Sequence, residues 1–225
     1  MLNLAEKWGL RTGPNPTRFI AMYPEKPRER LLSATELAQL GSTLDQIDRD
    51  GGEHSSVTLC VRLLVLTGAR LSEILKLKWS YVDLAAGILR LPDSKTGPKN
   101  IPLGAPALEL LANIRRTGSQ YVCPGEKADN HFTGIQRPWR RIRTQANLDG
   151  LRIHDWRHAF ASVAVMGGDS LFLVGKILGH RQASTTERYA YLQDDPVRAV
   201  ADRTSQKISA AMSGRVGEVV ALKRR

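Results

Sequence analysis

Cysteine occurs only twice in the 225 residues, as Cys60 and Cys123, and the two are far apart in the chain. A disulfide framework or a thiolate metal cluster is therefore not expected, and two buried, reduced thiols in an intracellular protein are. Long apolar runs are missing too. None approaches the ~20 residues that a membrane helix needs, and no charged, apolar and small-residue leader opens the chain, so no membrane partner is expected. Acidic residues are in deficit, 22 Asp and Glu against 33 Lys and Arg, which gives a formal charge of +11. A sequence pI near 10.0 points to a polyanion as partner, because neutralising phosphates releases counterions. A nucleotide-phosphate loop is not formed: Gly175 and Lys176 in "VGKIL" lack the other glycine and the hydroxyl of that motif. Repeats and low-complexity tracts are absent as well.

What is present is an ordinary globular composition, 42% apolar and 24% charged. At this length it builds a core for one domain, with or without a short appendage. Residues 1–30, with "GPNPTRFIAMYPEKPRER", are proline-bearing and weakly periodic and read as an extended linker, so a domain should begin near Leu31. Ser33 and Glu36 form a capping box, and Leu37, Leu40, Leu44 and Ile47 recur at helical spacing up to Gly51 and Gly52. "SSVTLCVRLLVLTG" predicts a buried helix ending at Gly68, followed by a short helix "RLSEILKL", with Arg70 at the junction. "WSYVDL", "GILRL" and "NIPL" predict a small antiparallel sheet with Lys95 near a hairpin turn, and Tyr81 and Tyr121 as packing residues in strands. From Ala105 onward helices dominate: "PALELLANIRR", "TGIQRPWRRIRTQANL", "HDWRHAFASVAVMG", "DSLFLVGKILG" and "DPVRAVADRTSQKISAAM". The fold class is α+β, mostly helical, with residues 201–225 as a helix end and a basic tail.

Four stretches concentrate polar groups in apolar surroundings: "TGARLSEIL", "DSKTGPKN", "HDWRHAF" and "LGHRQASTTERYAYL". Taken singly, each has a plain explanation. Arg70 can cap its helix or pair with Glu73, three residues on; Lys95 can be a solvated turn residue; Tyr189 can be packing. His154 and His158 are four apart on a helix, as zinc ligands are. However, Asp155 stands where a zinc protease needs glutamate, and Arg157 sets a permanent charge beside the proposed cation. A satisfied core histidine is the better reading of His158. Taken together, Arg70, Arg157, Lys95, His154 and His180 supply what one phosphodiester needs under attack by Tyr189. Two guanidinium forks hold its oxygens, a histidine (His154 is the candidate) serves as base for a phenol whose ordinary pKa is near 10, and a lysine protonates the leaving oxygen. Arg137, Arg140, Arg141 and Arg143 cluster around Trp139 as either a solvated face or a phosphate contact.

In this order and spacing the four stretches resemble the boxes of the tyrosine recombinase catalytic domain, the phage integrase family, over about residues 31–200. The resemblance implies that fold. It assigns Arg70 and Arg157 to the phosphate clamp, Glu73 as a supporting residue, Lys95 as general acid, and His154, His180 and Tyr189 to the remaining positions, with Tyr191 as the nearby competitor for nucleophile. It implies DNA strand cleavage and rejoining through a 3′-phosphotyrosine, without metal, nucleotide or other cofactor, for integration or excision of a mobile element. Double-stranded DNA is the implied partner, with a tetramer on DNA and a monomer possible when free. A C-terminal segment, here the helix through "DPVRAVADRTSQKISAAM", would dock on a neighbouring copy. The implied location is the cytoplasm of a prokaryotic cell, encoded by that cell or by a phage or other mobile element. The residues before Leu31 are too few for the additional N-terminal domain of such enzymes, which implies a fragment or a short form with weak, salt-sensitive and poorly selective DNA binding. A single-strand topoisomerase uses similar chemistry; a non-catalytic DNA-binding module and a zinc hydrolase are the readings from other classes.

Overall fold

The computed structural model describes residues 2–20, 23, 30–94, 97–127, 130–180, 182–192 and 196–213. Lys95 and the basic tail after Ser213 lie outside the described residues. The chain divides into two units, Met1–Arg30 and Leu31–Arg225. The first is not wholly extended, as its prolines led us to expect. It carries a short helix, α1 (Leu2–Lys7), because the prolines all lie beyond Gly13 and leave "LNLAEK" free to wind. Asn15 closes the turn after it, donating to the Asn3 side chain at 2.6 Å and accepting from the Thr17 N–H at 2.9 Å.

The second unit starts with α2 (Ala34–Asp50). The Ser33 hydroxyl accepts from the Glu36 N–H at 3.1 Å while the Glu36 carboxylate accepts from the Ser33 N–H at 2.9 Å, and Gly51 ends the helix in the left-handed region. Its inward residues Leu40, Leu44 and Ile47 face the core, as the 3.6-residue spacing requires. α3 (Ser55–Thr67) is buried nearly all round, with Val57, Cys60, Val61 and Leu63 fully inaccessible. Such a helix can only be central, and α2, α4 (Leu71–Leu75), α5 (Ala105–Asn113) and α7 (Asp155–Met166) all pack against it.

Three strands, β1 (Val82–Asp83), β2 (Ile88–Leu91) and β3 (Lys99–Pro102), form an antiparallel sheet in sequence order, with Leu89 opposite Ile101 and Leu91 opposite Lys99. The expected strand at "WSYVDL" is realised only at Val82–Asp83, and its first half is a 3-10 turn, Trp79–Tyr81. Tyr81 lies in that turn, and Tyr121 lies in an isolated bridge opposite Lys78 rather than in a strand. Two features displace regular pairing here: the Trp79 N–H donates to the Gln120 carbonyl, and the Arg116 guanidinium stacks over its ring at 4.3 Å.

The rest is helical: α6 (Gln136–Gln145), α7, α8 (Leu171–Leu178), α9 (Ser184–Glu187) and α10 (Pro196–Met212), with a second 3-10 turn at Ala190–Leu192. Trp139 of α6 meets Trp156 of α7 edge to face at 5.6 Å, a favoured geometry for two aromatic quadrupoles. Cys60 and Cys123 are both buried free thiols; their mutual hydrogen bond, added to burial, pushes the Cys60 thiol far above its ordinary range. A small satellite core of Ala161, Val165, Val174, Leu178 and Tyr189 joins α7, α8 and the segment that follows them.

Gly68 is the hinge point of this packing. It has φ +61°, and an added Cβ would lie 2.8 Å from the Phe160 ring and 2.9 Å from Leu178. Left-handed backbone and overlap in a packed core act together, so Gly68→Ala should lower stability by about 3 kcal/mol, read as a reduced urea midpoint at constant slope.

Candidate active site

Arg70 is the residue before the first turn of α4, where its own N–H has no helical partner. Glu73 supplies one: its carboxylate accepts from the Arg70 N–H at 2.8 Å and from the Arg70 guanidinium at 2.8 Å. The Glu73 side chain is almost wholly buried, and its second cation is Lys99 at 3.0 Å. Burial alone would raise the Glu73 carboxyl, but the Arg70 N–H and the Lys99 ammonium outweigh it and hold the group below the usual carboxylate range. Lys99 is displaced downward, first by burial and then by Arg157 and Arg70, against the pull of Glu73.

From Glu73 the network continues across the site. The Lys99 ammonium also donates to the Leu178 carbonyl at the end of α8, 3.1 Å away. The same oxygen accepts from Arg157 Nη2 at 2.6 Å, and Arg157 Nη1 donates to the Gly68 carbonyl at 2.8 Å. Arg157 is only 7% exposed, and burial followed by the charge of Arg70 lowers it to about 10, with Glu73 and Tyr189 acting in the opposite sense. It stays charged at neutral pH. Gly179 follows Leu178 with φ +69°, and a Cβ there would lie 3.0 Å from the Lys99 side chain. The glycine of "LGH" is thus required by both backbone conformation and the passing lysine.

His180 comes next. Its Nδ1 is 2.7 Å from the Thr186 hydroxyl, and Thr186 is itself buried against Gly175. With Nδ1 engaged, Nε2 is the nitrogen left to meet a ligand. Burial and then the charges of Arg157, Arg70, Arg188 and Lys99 bring His180 down to about 4, so it is neutral at pH 7. Glu73 holds both Arg70 and Lys99, and the Leu178 carbonyl holds both Lys99 and Arg157, so the two arginine stretches, the hairpin base and the "LGH" turn meet at one locus.

The Tyr189 ring fills the satellite core and is 5% exposed, whereas Tyr191 is 55% exposed. The Tyr189 hydroxyl lies 2.5 Å from His158 Nδ1. Burial raises the phenol, partly offset by Arg188 and Arg157. His154 sits at the residue before α7, its ring edge-on to His158 with centroids 6.1 Å apart; the histidine that shares a hydrogen bond with the tyrosine is His158. The four-residue spacing of the two histidines is real, but among the described residues no group of three His, Cys, Asp or Glu is placed to hold a metal ion.

The basic cluster on α6 divides. Arg141 is held by Glu53 through two contacts of 2.5 and 2.8 Å, and Arg143 donates to the Leu151 carbonyl at 3.3 Å, while Arg137 and Arg140 are exposed. Trp139, at the centre of that sequence cluster, is buried.

Lys99 was not among the residues picked out from sequence. Its signal was there in the alternation of β3: Lys99 and Ile101 share a face, and Ile101 is fully buried, so a cation at that position must be paired.

Residues 30–195 match the phage integrase family. The chain belongs to that family. Its class is that of the tyrosine recombinases, the site-specific DNA recombinase and integrase enzymes. It is 29% identical over 206 residues to the tyrosine recombinase XerD of Yersinia pestis, covering 80% of this chain and 69% of the relative. In fold it resembles the catalytic domain of bacteriophage HP1 integrase, with a TM-score of 0.58 at 21% identity over 76% of this chain and 93% of the other. It likewise resembles the Tn1549 transposon integrase in complex with circular intermediate DNA, with a TM-score of 0.65 at 18% identity over 89% and 76% of the respective chains. Those comparisons bear out the mostly helical fold with its small antiparallel sheet. Among the described residues, no helix is long and apolar enough to cross a membrane.

Two outcomes follow for the recombinase fold. Lys99→Met leaves the buried Glu73 one cation short and should cost about 3 kcal/mol, and a Glu73→Gln, Lys99→Met double variant should lose clearly less than the sum of the two singles in chemical unfolding. His180 is held well below its ordinary 6.5. A depressed histidine stabilises the fold above its unfolded value, and that stability is lost as pH falls from 6.5 toward 4. The melting temperature of the wild type should therefore fall faster over that interval than that of His180→Gln.

Proposed function

We propose that residues 31–200 form the catalytic domain of a recombinase that cuts and reseals duplex DNA through a 3′-phosphotyrosine at Tyr189, and that residues 1–30 are a linker. One observation carries the reading: Tyr189 is bonded to α7 beside Arg157, and Arg157 is electrostatically coupled to both Arg70 and Tyr189. A phenol beside the charged guanidinium of Arg157, which in turn feels that of Arg70, suits phosphoryl transfer, because charge growing on non-bridging oxygens is met by donors already in place.

In this reading Arg70 and Arg157 clamp the scissile phosphate. Glu73 and Lys99 orient the clamp, His180 offers Nε2 to a phosphate oxygen, and His154 stands at the entrance of α7. Lys95 is the general acid for the leaving 5′ oxygen. Tyr189 is preferred over Tyr191 because it is buried and hydrogen-bonded to His158 beside Arg157, whereas Tyr191 is 55% exposed. Arg137 and Arg140 are the side chains of α6 open to phosphate contact. Double-stranded DNA as partner is supported by the DNA bound to the transposon integrase that this chain resembles, and the same neighbour supports a task in moving a mobile element; the prokaryotic cytoplasm belongs to the same proposal. A tetramer on DNA, with α10 of one copy docked on the next, is supported by the exposure of Ile208 and Met212 on that helix.

Incubation with nicked duplexes, without metal or nucleotide, should give a covalent adduct on a denaturing gel that Tyr189→Phe abolishes and Tyr191→Phe retains; an adduct persisting in Tyr189→Phe refutes the assignment. Lys95→Ala should slow cleavage by roughly 10²- to 10⁴-fold. Replacing the 5′ bridging oxygen by sulfur should restore most of that rate, since a thiolate leaves without a proton.

A further inference from the structure

α7 carries two histidines one turn apart, and the roles above leave the second without one. His158 Nδ1 is 2.5 Å from the Tyr189 oxygen, with ring centroids 6.0 Å apart, well within hydrogen-bond reach. The tyrosine is held from behind. The Tyr189 N–H donates to the Thr186 carbonyl at 3.0 Å, and the ring is packed among Ala161, Val165, Val174 and Leu178. On the other side, the neighbour of His158 on α7 is Arg157, pinned by two carbonyls.

We propose that His158 is a further catalytic residue of this site, its Nδ1 taking the phenolic proton as the Tyr189 oxygen attacks phosphorus. The proposal rests on the recombinase reading. The Tyr189 oxygen forms a bond to phosphorus as the bond from phosphorus to the 5′ oxygen breaks. The electron pair of that bond leaves with the 5′ oxygen, which takes a proton from the Lys95 ammonium. The tyrosine's own proton ends on His158 as an imidazolium. Resealing runs the same transfers backward, with the imidazolium returning its proton to the phenol.

The surroundings suit that exchange. Burial, then the neighbouring His154, holds His158 below the ordinary imidazole range, so its accepting form prevails at pH 7. The groups that face it are His154, Asp155 and Arg157 on α7 and Arg188 on the tyrosine segment, while Tyr191, Arg188 and Arg157 face the phenol. Asp155 is the one anion among them, so an imidazolium at position 158 is short-lived and gives its proton back readily. The phenol, raised by burial, does not ionise unaided and needs such an acceptor.

The test uses the full chain and a pool of nicked duplexes of randomised sequence, each with a 5′ bridging sulfur at the nick-proximal phosphates. The thiolate leaves unprotonated, so adduct formation reports the tyrosine's deprotonation alone. The wild-type rate should decline as pH drops through the range in which His158 gains a proton. His158→Phe, and His158→Gln as the better-tolerated variant, should fall roughly 10²-fold at pH 7 and show no such decline, their rates rising with hydroxide instead. Unchanged rates and pH profiles in a folded variant overturn the role of His158 alone. A wild type that forms no adduct overturns the recombinase reading and this role with it. Nitrogen NMR of the wild type is independent of DNA: His158 Nδ1 should be unprotonated at pH 7 and should shift in Tyr189→Phe, and a protonated Nδ1 overturns the proposal.

Discussion

One backbone oxygen, that of Leu178, accepts hydrogen bonds from two buried cations, Arg157 and Lys99. Each cation has a second acceptor elsewhere: Gly68, at the end of α3, for Arg157, and Glu73, on α4, for Lys99. The end of α8, the base of the β-hairpin, α7 and the α3–α4 junction are thereby tied through one chain of charge-assisted bonds. Buried cations are costly unless their donors are met, so none of these elements can shift without exposing an unmet charge. The result is a rigid frame in which the guanidinium groups are in place before any substrate arrives, the condition for electrostatic stabilisation of a transition state.

The same frame decides where tyrosine goes. Gly179 turns the chain over Lys99, His180 fastens to Thr186, and Thr186 packs on Gly175, which carries Tyr189 back onto α7. Tyr189 then has two surroundings. Its ring completes the satellite core, and its hydroxyl ends at the His158 imidazole, next to Arg157. Tyr191, two residues on, is outside that core and exposed.

Much of this was legible in the chain. The Ser33 and Glu36 capping box, the all-apolar "SSVTLCVRLLVLTG" and Gly68 mark helix ends and burial by local rules that need no partner. The four polar stretches stood out because their residue types share one chemistry. Other features were not legible. "WSYVDL" has strand-forming residues, but Gln120 and Arg116 claim Trp79, and its first half is a 3-10 helix. Among four arginines around Trp139, nothing local says that Glu53, far back in the chain, holds Arg141.

The histidines mark the boundary between the two kinds of information. Spacing alone put His154 and His158 on one side of α7, because a helix repeats every 3.6 residues whatever surrounds it. Which of them reaches the tyrosine depends on how the segment after α8 folds back, a matter of contacts between residues 31 apart in sequence. Composition, caps and box order thus determined the domain, its class and its polar inventory. The pairing of Lys99 with Glu73, the splitting of the arginine cluster and the choice of His158 were decided only in three dimensions, since long-range partners leave no periodic trace in the chain.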